Sequence, residues 1–179
     1  MCIRDSITSL KKGILQIDGY LDIYYFVNTI NVACRLKRYA WAETFLKENL
    51  NAIDVKEQLV VQQLSRGILL YEQGKYEDAL VQVKSATYSN PIFSLRLKVL
   101  ELKILVDLKV MDKSILASCE AFDQFIRRKN KLSNKILDAY KNFVLMVRRI
   151  FLYKKKDQAQ LLAYLEAVSY THLTLPTKA

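Results

Sequence analysis

Side-chain catalysis asks for a nucleophile beside a base, or for titratable groups held close enough to exchange a proton. This chain supplies little of either. Its one histidine is His172, and its three cysteines, Cys2, Cys34 and Cys119, share no CxxC or other metal-ligand spacing. It has no Gly-rich phosphate loop and no isolated carboxylate pair in an apolar context. The pattern predicts a protein that is not an enzyme, with no catalytic residue, no metal and no cofactor. Cys34 and Cys119 then read as buried reduced thiols, which suits a reducing, cytoplasmic compartment.

Positive charge is the chemistry the sequence does offer. Arg127, Arg128, Lys129 and Lys131 form one cluster, Arg148 and Arg149 a second, and Lys154 to Lys156 a third. Such clusters can neutralise phosphates, so nucleic acid or another acidic partner is one candidate. No RNP, KH or zinc-finger pattern accompanies them. They also fall at expected helix ends, where cations complement the helix dipole. The net charge of +10 is unevenly placed: residues 7–90 carry 10 Lys/Arg against 9 Asp/Glu, and residues 91–156 carry 16 against 6.

The two ends read as foreign to the rest. Met1 to Ser6 matches, codon for codon, the mosaic-end adapter used in sequencing libraries. The reverse complement of that DNA encodes Val-Ser-Tyr-Thr-His, which stands at Val168 to His172. We expect Met1–Ser6 and Val168–Ala179 to be translated adapter, and Ile7–Ala167 to be a fragment of a longer protein. On that reading His172 says nothing about function.

The elements that must position any site are helical by composition. The chain is rich in Leu, Ile, Val, Lys and Glu, and has 4 Gly and 2 Pro in 179 residues. Ile23 to Cys34, bounded by Asp22 and Arg35, is too short to span a bilayer, which takes about 20 residues. Leu132 to Tyr153 reads as a long amphipathic helix, with Ile136, Ala139, Tyr140, Phe143, Val147, Ile150 and Phe151 along one stripe. It is expected to cap the end of the domain. A short helix is expected at 157–167.

An internal period ties these helices together. Between Val60 and Phe93, Gly67 lies twelve residues before Ala79, and Ala79 twelve before Pro91. Tyr76 opens the segment Tyr76-Glu-Asp-Ala-Leu, and Val83 and Ala86 follow Ala79 at core spacing. Small residues at Gly67, Ala79 and Ala86 allow two helices to pack closely, and Pro91 ends the unit. This unit resembles a tetratricopeptide repeat, with Gln63 in the place of the consensus Trp and Leu70 in the place of an aromatic. An upstream copy matches Tyr39 and Ala42 to Tyr76 and Ala79, 37 residues apart, with Ile30 in the small-residue place. A downstream copy at Met111–Ala121, spaced by 35, puts Ser114 in the alanine place and Leu102 in the glycine place. Gly19-Tyr20-Leu21, Phe26, Asn28, Ala33, Trp41, Ala42 and Phe45 also resemble the pattern of a group of bacterial tetratricopeptide-like proteins.

The resemblance implies an all-α fold of antiparallel helix pairs stacked as a right-handed solenoid. Its units are expected at about 23–59, 60–93 and 95–130, within one domain over 7–156. It also implies that the first helix of each pair lines a concave surface for a protein or peptide partner. The positions so selected are Asn31 and Arg35, with Tyr24 and Asn28 beside them, Tyr71 and Glu72 in the second unit, and Arg96 and Lys103 in the third. Their donors suit the backbone or a carboxylate of an extended peptide, although a solvated polar face carries the same residues. Trp41 and Tyr76 fall at the turns between paired helices and read as packing groups.

Overall fold

The computed structural model describes residues 16–17, 19–86, 90–108, 113–128 and 133–152. The adapter-like ends and the expected helix at 157–167 lie outside the described residues. The regular structure of the described residues is helical apart from a two-residue antiparallel pairing of β1 (Gln16–Ile17) with β2 (Tyr20–Leu21), which turns on Gly19 at φ 83°. Seven α-helices follow among the described residues: α1 (Ile23–Arg35), α2 (Tyr39–Asn49), α3 (Val55–Glu72), α4 (Tyr76–Lys84), α5 (Pro91–Asp107), α6 (Lys113–Arg127) and α7 (Asn134–Leu152). A 3-10 turn, Leu50–Ala52, closes α2. The chain divides into two compact units, Met1–Leu97 and Lys98–Ala179, with the division inside α5.

Short polar side chains set the helix starts. The Asp22 carboxylate accepts from the Tyr25 amide at 2.7 Å, and the Asp54 carboxylate accepts from the Lys56 amide at 3.0 Å. Asn90 Oδ1 accepts from the amides of Ile92 and Phe93 at 3.0 and 3.4 Å, just ahead of Pro91 at the first helical position of α5. Each cap satisfies an amide that has no partner within its own helix.

In the first unit, α1 and α2 form one helix pair and α3 and α4 a second, and α1 packs on α3. The two turns inside these pairs have the same hydrogen bonds, displaced by 37 residues. Lys37 N donates to Cys34 O at 2.8 Å and Arg38 N to Ala33 O at 2.9 Å; Gly74 N donates to Tyr71 O at 2.9 Å and Lys75 N to Leu70 O at 2.9 Å. Both sets form a left-handed helix cap, with φ 56° at Lys37 and 76° at Gly74. The following helix then brings Ala42 or Ala79 into full burial at the crossing, where a methyl group lets the two backbones approach. Gln63, in the place of the consensus aromatic, donates its amide to Ser85 O at 3.1 Å and so satisfies a carbonyl at the end of α4. Tyr76 packs at 5.6 Å from Tyr71, and Trp41 stacks on Phe45 at 5.2 Å while remaining half-buried.

α5 differs from the other first helices. Its residues Phe93, Ser94, Leu95, Arg96 and Leu97 are all buried, so this stretch has no solvent-facing side.

In the second unit α6 packs on α7, with Phe122 and Tyr140 ring centroids 6.1 Å apart. The alanine place of the third copy needs correction. Ser114 is exposed, and the buried positions on α6 are Ile115, Cys119 and Phe122. These repeat the spacing of Ala79, Val83 and Ala86 at a displacement of 36 residues rather than 35. Burial selects the register on α6, and it seats a bulky isoleucine in the place that alanine holds on α2 and α4. On α7 the fully buried line is Leu137, Tyr140, Phe143, Val144, Val147 and Ile150. Ile136, Ala139 and Phe151 flank it half-buried, so the apolar face is turned slightly from the expected stripe.

Two predictions follow from the joints. Lys37→Gly relieves a left-handed lysine and is expected to raise unfolding free energy by about 0.5–1 kcal/mol, whereas Gly74→Ala, with open space around the added carbon, loses about 1–2 kcal/mol through φ alone. Urea denaturation of both variants checks the pair. Ala79→Leu overpacks the crossing of α3 and α4 and should cost about 1–3 kcal/mol in the same assay. A loss of only a few tenths there would contradict the packing register.

Candidate functional site

The candidate residues divide into a buried group and an accessible group. Asp22 starts α1, which places Tyr24 and Asn28 one turn apart on the same side of that helix. Asn90 starts α5, which places Phe93 and Arg96 one turn apart. The two pairs meet: the Tyr24 and Phe93 rings stack with centroids 5.3 Å apart and planes 26° apart. The Arg96 guanidinium lies 5.9 Å from the Tyr24 ring and 5.6 Å from the Phe93 ring, and its Nη1 donates to Asn28 Oδ1 at 3.4 Å. Aromatic faces and an amide carbonyl thus surround a guanidinium that is only 3% exposed. Burial pushes the Tyr24 hydroxyl above its ordinary pKa; nearby Arg96 opposes this, Asp22 and Glu57 reinforce it, and a hydrogen bond with the Asn90 side chain opposes it. The beginnings of α1 and α5 therefore share one polar knot. Its geometry holds helices together and leaves Arg96 out of reach of a large ligand.

Asn31, Arg35 and Tyr71 lie toward the other end of α1 and α3. Arg35 is exposed, while Asn31, Tyr71 and Glu72 are half-buried. Arg35 and Glu72 occupy equivalent places in the two repeated joints, 37 residues apart, and carry opposite charge. The Tyr39 hydroxyl donates to Glu72 O at 2.8 Å, tying the first joint to the end of α3. This end of the first unit presents donors, an acceptor and an aromatic ring on helix ends fixed by hydrogen bonds. Lys103, on the second-unit part of α5, is half-buried.

The described basic residues differ in exposure and in partners. Arg127 and Arg128 are exposed at the end of α6, and Lys129 and Lys131 lie outside the described residues. Arg148 is committed to Asp123 at 2.9 Å, with both side chains partly shielded. Arg149 is exposed near the far end of α7, a helix about 28 Å long. Among the described residues no group of three or more His, Cys, Asp and Glu side chains is placed to hold a metal ion. No described helix is long and apolar enough to cross a membrane.

Cys34 and Cys119 are buried and free. Burial, reinforced by Glu72, pushes the Cys34 thiol up to about 12, and burial pushes Cys119 up to about 11 against the opposing Arg148. Such thiols are protonated and inert at neutral pH.

Two members of the knot, Phe93 and Asn90, were not singled out by the sequence. Asn90-Pro91 is a helix-start signature that would have located one of them. Nothing local to Phe93 marks a contact with α1. No family model matches the chain, and no curated protein or solved structure is significantly similar to it.

The thiols make a pH prediction. The unfolded chain releases the Cys34 proton near its ordinary value of 9, whereas the folded chain holds it to about 12. Stability is therefore fully present below pH 9 and declines as pH rises through that window. Denaturation at a series of pH values should show a shallower decline in Cys34→Ala than in the parent.

Proposed function

We propose that this chain is a tetratricopeptide-like helical-repeat scaffold that binds a protein or peptide partner and catalyses no reaction. The observation carrying this reading is the pair of joints with the same two hydrogen bonds, a left-handed residue in the same place and the same buried alanine at a displacement of 37 residues. Two adjacent helix pairs built to one pattern present their first helices, α1 and α3, side by side. An elongated surface of this kind suits recognition of an extended segment.

Within that surface the contacts are assigned to Asn31, Arg35 and Tyr71. Arg35 offers a charge-assisted donor to a carboxylate or carbonyl, Glu72 accepts from a peptide amide or a cation, and Tyr71 supplies contact area at low entropic cost. Tyr24, Asn28 and Arg96 act behind them, holding the starts of α1 and α5 rigid. Nucleic acid is the competing partner, and salt separates the two, because phosphate neutralisation loses affinity steeply as salt rises.

A peptide array probed with the parent chain and with the Arg35→Glu, Tyr71→Ala double variant tests the proposal. Peptides bound by the parent are expected to lose tenfold or more of their affinity for the double variant. Unchanged peptide affinity, or binding confined to nucleic acid and steeply salt-dependent, contradicts it.

A further inference from the structure

A second surface lies away from the first-helix contacts just assigned. Where α2, α3 and α4 meet, a cleft of about 320 Å³ opens, at the low end of the size of ligand pockets. Leu46 and Leu69 lie buried at its base, and Leu50 and Leu70 line it half-buried. This lining is aliphatic, with no aromatic ring. The remaining lining is polar and rich in donors: Lys47 on α2, Arg66 on α3 and the amides of Gln62 and Gln82, set against the single carboxylate of Glu43.

Neither Lys47 nor Arg66 forms an ion pair within 4 Å among the described residues, and Glu43 pairs with neither. The two cations come from different helices that the joints fix relative to each other, and both line the one cleft. An apolar base with two cations at its edge complements an aliphatic side chain that stands beside a carboxylate. Glu43 and the glutamine amides are left for backbone groups of the same segment. We infer that this cleft is a docking site for an extended peptide segment of a partner protein, in which an aliphatic residue adjoins an acidic one. The second helices of the two pairs, with α3 between them, thereby give the scaffold a binding surface separate from its first-helix face.

Fluorescence anisotropy on the full chain tests this, with a labelled hexapeptide of alternating leucine and glutamate as the probe and its leucine–lysine counterpart as the control. The expected result is saturable binding of the acidic probe, weakened tenfold or more by Lys47→Glu with Arg66→Glu and tightened by Glu43→Lys. All three positions are exposed, so the substitutions leave the core intact. Arg35→Glu with Tyr71→Ala should leave this binding unchanged. The inference is overturned by no binding up to about 1 mM probe, by equal binding of the lysine control, or by an affinity indifferent to the Lys47 and Arg66 reversals. Loss of binding in the Arg35, Tyr71 variant alone would also overturn it, by moving the peptide to the other face.

Discussion

The close approach of paired helices at a buried alanine is the constraint on which the first unit rests. Ala42 and Ala79 are fully buried, and each follows a left-handed cap by a little over one turn. The cap sets the direction in which the chain reverses, and the methyl side chain sets the distance between the helices it joins. Both must hold together, because a larger residue at the crossing moves the backbone that the cap has already fixed. Once two joints share this geometry, α1 and α3 are placed alongside each other, and the ends carrying Asn31, Arg35 and Tyr71 follow.

Against that regular frame, the polar knot at Arg96 is an unusual expense. A guanidinium so thoroughly buried forfeits hydration, and aromatic faces with an amide carbonyl offset only part of the loss. What the knot supplies is specificity of arrangement: Tyr24 and Asn28, one turn apart on α1, present a ring and a carbonyl to Phe93 and Arg96 on α5. A leucine in the place of Arg96 would be compatible with many small displacements of α5, whereas the guanidinium keeps these contacts only within a narrow range of positions.

How much of this was legible in the sequence depended on whether the residue's type matched its role. Ala79 announces a helix pair because a methyl group suits its fully buried crossing, and Gly67 and Pro91 stand at equal spacing on either side of it. Asp22, Asp54 and Asn90 announce helix starts in the same way. Lys37 conceals a left-handed turn, since lysine has no preference for that backbone region, and only its equivalence to Gly74 reveals it. Ser114 misled the register of the third pair because a small residue was sought where burial in fact places Ile115. Arg96 was read as a surface donor from its place on the first helix of the expected third unit, and its burial depends on packing between helices distant in sequence. The basic run on the second half hid a similar division, since Arg148 is bound to Asp123 from a separate helix while Arg149, its neighbour, faces solvent.

The equivalence of the two joints is the claim on which the scaffold reading stands, and backbone NMR of the labelled chain tests it most directly. The account predicts positive φ at both Lys37 and Gly74 from the coupling constants and chemical shifts. It also predicts slowed amide exchange at Lys37 and Arg38 that is matched at Gly74 and Lys75. A Lys37 with ordinary negative φ, or exchange protection at one joint without the other, would contradict it.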